Sequence, residues 1–106
     1  MSASRRLSVQ VERFDLAAPF VISRGAKSVA EVVVATLEEG PFRGRGECVP
    51  YGRYGETVAG VVAAIEGLRG ALEAGLEREA LQGLMPAGAA RNAIDCALWD
   101  LEAKRS

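Results

Sequence analysis

The stretch 29–49, VAEVVVATLEEGPFRGRGECV, decides the fold. Residues 29–37 are rich in β-branched side chains, which suit a pleated surface. Val32, Val33 and Val34 put apolar groups on both faces, the pattern of a central strand. Glu39-Gly40-Pro41 is a tight-turn signal, and residues 42–49 return as a further strand. Gly44 and Gly46 lie on the same side of it, which marks a place where another element approaches closely. Upstream, residues 7–16 alternate, with Leu7, Val9 and Val11 on one face and Ser8, Gln10 and Glu12 on the other. Period two over that length predicts a half-buried strand before the central one.

Helical periodicity takes over after residue 56. Thr57 suits an N-cap for a helix whose apolar stripe is Val58, Val61, Val62, Ile65, Leu68 and Leu72, with Gly75 as its C-terminal cap. A short helix over 76–85 ends at Pro86. A third helix over 87–104 carries the stripe Ala90, Ala93, Ile94, Ala97, Leu98 and Leu101, and Lys104 and Arg105 suit its dipole. The reading is α+β: a three-stranded antiparallel meander followed by a small helical bundle, one domain over 1–106.

Composition narrows the chemistry. Hydrophobic residues make up 49% of the 106 and charged residues 25%, as in ordinary globular chains. The formal net charge of -1 offers no electrostatic attraction to nucleic acid or an anionic membrane, and no stretch has the length of a membrane-spanning helix. There is no histidine, which removes the commonest general base, the Ser/His and Cys/His pairs and the usual metal ligand. The two cysteines, Cys48 and Cys96, sit in apolar patterns without Cys-x-x-Cys spacing. They read as reduced, buried residues of a cytoplasmic protein.

In a meander, the connection after strand one and the end of strand three fall at the same end of the sheet. Residues 17–28, a connection of roughly 12 residues, and residues 50–56 are therefore expected to emerge side by side as loops. Together they hold Phe20, Ile22, Arg24 and Lys27 with Tyr51, Arg53, Tyr54 and Glu56. Aromatic walls with cations fit a small carboxylate-bearing molecule. The same side chains would equally solvate two loops or touch another domain, and spacing does not separate these readings. Glu47, Glu56, Asp95 and Asp100 read as structural carboxylates, with Asp95 near Arg91, and Trp99 as a packing residue. Gly44-Arg45-Gly46 lacks the third glycine and the following helix of a phosphate loop. No nucleophile with a partner, paired lysine bases or metal-carboxylate cluster stands out.

The string AARNAIDCALWDLEAK at 89–104 resembles the last cap-domain helix of the enolase superfamily, muconate-lactonizing branch. Gly44-Arg45-Gly46-Glu47 resembles the third-strand motif of that cap. Ile22-Ser23-Arg24-Gly25 and ECVPYGRYGET at 47–57 are most similar to dipeptide epimerases of the L-Ala-D/L-Glu type. The resemblance runs from about Leu7 to Lys104. It implies an N-terminal capping domain whose two loops shape specificity over a modified TIM barrel. In the family that barrel supplies two lysine acid/bases and three acidic ligands for Mg²⁺, which stabilises the enediolate formed as the α-proton leaves. By position it implies Arg24 as a cation on the dipeptide, with Tyr51 and Tyr54 in the second specificity loop and Phe20 and Ile22 beside them. A barrel of roughly 200 residues or more does not follow Ser106, so no catalytic or metal-binding residue carries over. The chain is expected to be about the first third of such an enzyme, inactive alone and homo-oligomeric as the whole protein. The resemblance leaves open a muconate cycloisomerase, an o-succinylbenzoate synthase or an N-acylamino acid racemase. A non-catalytic interaction module is the reading from a different class. With its barrel absent, the alanine face of the last helix and Trp99 are expected to form an exposed apolar patch that drives self-association.

Overall fold

The computed structural model describes residues 5–22, 25–50 and 55–105, and for 14–22 and 25–30 the backbone alone. Three strands, β1 (Arg5–Ile22), β2 (Gly25–Glu39) and β3 (Phe42–Cys48), form one antiparallel sheet in the order β1-β2-β3. Four helices follow: α1 (Val58–Gly67), α2 (Arg69–Glu73), α3 (Arg78–Leu84) and α4 (Ala89–Arg105). The expected meander and its central strand are present. Between Glu39 and Phe42 the chain reverses through Gly40, whose φ of 58° is open to glycine at no steric cost, and Pro41.

The core lies against one face of the sheet, although Val34 on the other face is also buried. Leu7, Val33, Ala35, Leu37 and Cys48 meet Val61, Ile65, Leu72, Leu81, Ala93, Ile94, Ala97, Leu98 and Leu101 in a single core. The tightest contact is α4 on β3. A Cβ added at Gly44 would overlap the Ala97 carbonyl and stand 2.5 Å from the Leu101 nitrogen. One at Gly46 would overlap the Ala93 carbonyl and stand 2.7 Å from the Ala97 nitrogen. The two glycines and the two alanines opposite them therefore set how near the helix comes.

The helical side also closes both sheet edges. On β1, the Leu7 N–H donates to Glu73 (2.9 Å) and the Leu7 carbonyl accepts from Arg69 (2.6 Å). On β3, the Arg45 N–H donates to Asp100 (2.9 Å) and the Arg43 carbonyl accepts from Lys104 (2.7 Å). Each pair is an acid and a base four residues apart on one helix, and each bonds the strand edge as a further strand would.

Four expectations need correcting. Residues 17–28 are not a loop: β1 runs on to Ile22 and β2 starts at Gly25, paired through Phe20↔Lys27, Val21↔Ala26 and Ile22↔Gly25. Backbone pairing continues across the segment, and the irregularity shrinks to residues 16–19, which face only Ser28. Pro19 lies in that bulge, where its missing N–H breaks no ladder bond. Residues expected to make one helix from 58 to 74 make two, broken at Leu68 between Gly67 and Gly70. Glycine's backbone freedom weakens a helix there. The alanine face of α4 is inside: all six stripe residues are buried against the domain's own sheet. The alanines are therefore not part of an exposed apolar patch, although Trp99 is exposed. Cys96, expected to be buried, is exposed, because it lies one position off that stripe.

Gly46→Ala is expected to force α4 off β3 at a cost of about 2 kcal/mol or more. For a domain of this size that lowers Tm by on the order of 10 °C, whereas Gly83→Ala, with open space around its Cβ, leaves Tm unchanged or higher. Thermal unfolding of the two variants by circular dichroism checks the contrast.

Candidate functional site

Two anchors hold the segment that follows β3. At its start, Cys48 is buried as the last residue of the strand. At its end, Glu56 reaches across to α4, where its carboxylate accepts the Ala89 N–H (2.8 Å) in the helix's first turn. The next residue, Thr57, caps α1: its hydroxyl accepts the Gly60 N–H at 3.0 Å. Each helix start near this segment thus has one of its free N–H groups satisfied by a residue that closes it. Gly55 turns the chain into this anchor with φ 76°.

Beside the second anchor lies a cleft of about 500 Å³ between α1 and the α3–α4 junction. Gly60, Ala64 and Leu68 form one wall, and Leu84, Pro86 and Ala89 the other. The lining is mainly apolar, with Arg91 at one margin, its guanidinium donating to the Met85 carbonyl (3.3 Å).

The β1–β2 ribbon defines the other half of the site. β3 ends where Cys48 pairs with Val33, so residues 25–32 of β2 continue past it, paired with β1 alone. At about 3.3 Å per residue this is an arm of roughly 25 Å. Both the turn of the arm and the exit of β3 belong to the same end of the sheet, as the meander requires. The arm stands where a loop was expected.

Arg24, Tyr51 and Tyr54 lie outside the described residues, as does Arg53. Phe20 and Ile22 are on β1 near the turn of the arm, in backbone register with Lys27 and Gly25. The strands and anchors bracket these six residues but place none of their side chains.

The carboxylates behave as structural groups. Glu56 is a helix cap. Asp100 accepts the Arg45 N–H and the Lys104 ammonium, and these two bonds hold its carboxyl below its ordinary range. Glu47 pairs with Arg45 (3.4 Å), which also reaches Glu12 (3.1 Å). Asp95 pairs with Arg78 (3.2 Å) and not with Arg91, because Arg91 turns back to Met85. Trp99 is not a core residue. It is 53% exposed, and Arg78 stacks on its ring at 3.6 Å from the centroid. Among the described residues no group of three or more His, Cys, Asp or Glu could hold a metal ion. Sequence reasoning missed the capping role of Glu56. The signal was there, since a carboxylate beside a cap residue at a loop's end has two helix starts within reach.

Cys48 and Cys96 are both free. Burial, then the Glu56 charge, pushes the Cys48 thiol up to about 11, so at neutral pH it is almost wholly protonated and a poor nucleophile.

The chain matches the mandelate racemase / muconate lactonizing enzyme, N-terminal domain family over residues 4–106. It is 56% identical over 95% of its length to an L-Ala-D/L-Glu epimerase of Escherichia coli (strain K12), of which it covers 32%. It is 40% identical over 71% of its length to an N-acetyl-D-glutamate racemase of Pseudoalteromonas sp, covering 24% of that protein. Among solved structures, it superposes with a TM-score of 0.90 and 55% identity on an enolase family member from Agrobacterium tumefaciens with homology to dipeptide epimerases, which holds sodium and L-Ala-L-Glu. That match covers 95% of this chain and 31% of the other. The chain therefore spans about a third of the length of these relatives.

Alkylation of the folded chain at pH 8 is expected to modify Cys96 and spare Cys48 until denaturant is added. Equal rates by peptide mass mapping would show that the β3 end is open and the first anchor absent.

Proposed function

The chain belongs to the mandelate racemase / muconate lactonizing enzyme family as its N-terminal domain, and from that premise we propose that it is the substrate-selecting cap of an epimerase acting on N-acylated glutamate. The observation that carries the reading is its 56% identity to the L-Ala-D/L-Glu epimerase across nearly all of its own length. The racemase named for N-acetyl-D-glutamate sharpens it. L-Ala-Glu and N-acetylglutamate share one unit, a glutamate whose α-nitrogen is acylated and whose α-carbon bears a carboxylate. An enzyme inverting that carbon must bind the carboxylates and remove a weakly acidic α-proton.

In this reading the residues of the arm and of the anchored segment meet the substrate. Arg24 pairs with a carboxylate, and a guanidinium fork suits that group. Tyr51, Tyr54, Phe20 and Ile22 form the wall around the acyl side and set which N-acyl group is admitted. The proton-transfer groups and the Mg²⁺ site belong to a barrel domain outside residues 1–106, in the part of the relatives' length that this chain does not span. Such a cation would stabilise the carboxylate as the α-carbon becomes planar. The sodium in the Agrobacterium tumefaciens protein supports a cation at the site. The 106-residue chain alone is inactive and contributes selection only. The whole protein is a homo-oligomer, and two free thiols fit a reducing compartment, the cytoplasm.

The test uses the full-length protein that carries this domain, with Mg²⁺ in deuterated water. Deuterium is expected at the glutamate α-carbon of L-Ala-L-Glu, followed by NMR. Preference for N-acetylglutamate by more than tenfold in kcat/KM would assign the protein to the racemase side, and exchange with neither would sink the reading. Arg24→Ala is expected to lower kcat/KM for L-Ala-L-Glu by at least tenfold.

A further inference from the structure

At the sheet end opposite the arm, four charged residues from four parts of the chain close a ring. Arg5, at the start of β1, donates through Nε to Glu39 (3.1 Å) and through Nη2 to Glu77 (2.6 Å). Arg105, in the last turn of α4, bonds the remaining oxygens of the same two carboxylates, Glu39 at 2.8 Å and Glu77 at 3.3 Å. Arg5 is only 6% exposed, and its Nη1 also donates to the carbonyls of Leu72 (3.3 Å), in α2, and Leu76 (2.8 Å), after it. Among the described residues neither carboxylate has another ion-pair partner.

A buried guanidinium is costly unless every donor is used, and removing one partner leaves the others uncompensated. Arg5, whose side chain is 3% exposed, therefore depends on both carboxylates, and each glutamate bonds both arginines, though the arginines themselves are not paired. What hangs from it is specific: the last turn of α4, whose terminal carbonyls have no helical partners, and the α2–α3 connection, held by Arg5 at Leu72, Leu76 and Glu77.

We infer that Arg5, Glu39, Glu77 and Arg105 form a latch that locks the end of α4 and the α2–α3 connection to the β2–β3 turn, and that losing any one charge releases both segments together. Acid is the natural trigger. The Arg105 hydrogen bond, with Arg5, holds the Glu39 carboxyl below its ordinary range despite burial. A lowered carboxyl stabilises the closed latch at pH above the ordinary carboxylate range, and that contribution is lost as pH falls through the lowered value. The charged groups facing Glu39 are Arg5 from β1 and Arg105 from α4, and the same two face Glu77.

Amide hydrogen exchange of the chain, followed by mass spectrometry, tests it. Arg105→Met is expected to speed exchange at least tenfold both in 101–105 and in 72–77, with 33–37 in β2 unchanged. Faster exchange in 101–105 alone overturns the latch, because the effect is then only local. If the variant does not fold, the unmodified chain serves with falling pH. The two segments should lose protection together before the sheet does, and loss in one step with the sheet overturns the inference.

Discussion

The seat of α4 on β3 is the constraint from which the rest follows. A helix normally stands off a sheet by the height of its side chains. Here Gly44 and Gly46 have none, and the facing residues are Ala93 and Ala97. With backbone nearly against backbone, the helix is fixed in rotation as well as distance. That rotation turns Asp100 and Lys104 to the edge of β3, brings Arg105 to Glu39, and holds the first turn of α4 where Glu56 can cap it. Dispersion and the hydrophobic burial of Ile94, Leu98 and Leu101 stabilise the seat, while the absent Cβ atoms make it geometrically possible.

The sheet edges show the same economy. A three-stranded sheet has as many edges as a larger one and fewer interior strands to hide behind. Arg69 with Glu73, and Asp100 with Lys104, are ion pairs along a helix that would contribute little at a surface. Their larger contribution is to bond the N–H and C=O groups of Leu7, Arg43 and Arg45, which would otherwise invite pairing with another chain. The arm beyond Cys48 has no such cover from β3, since the pairing of β2 with β3 ends at Val33.

Much of this was legible in the sequence. The run of three valines identified the central strand and Gly40-Pro41 the turn, because each is a local rule with a period or a fixed dihedral; the alanine-rich stripe marked the face of α4 that another element approaches, but not that the element is the domain's own sheet. Gly44 and Gly46 announced close approach because a missing side chain has few other uses on one face of a strand. The arm was misread as a loop because the bulge at 16–19, with Pro19, interrupts the alternation while the backbone pairing resumes beyond it. The helix break at Leu68 hid inside a regular apolar stripe. Trp99 and Arg78, and the ring at Arg5, join residues far apart in the chain, and no local pattern carries such pairings. Of the candidate site, the sequence supplied the residue types, and the structure supplied the arm and the anchors at Cys48 and Glu56.

Those anchors separate two kinds of sequence change. The segment between Cys48 and Glu56 is tied at its ends by a buried thiol and a helix-capping carboxylate, neither of which depends on what lies between. Loop length and composition alter closure entropy only slowly. Substitutions between the anchors therefore leave the anchors themselves intact, except at Gly55, whose φ of 76° strains any side chain. A frame so anchored can keep its core while the segment it holds changes. Chains of one family can thus share the frame and differ in what it holds.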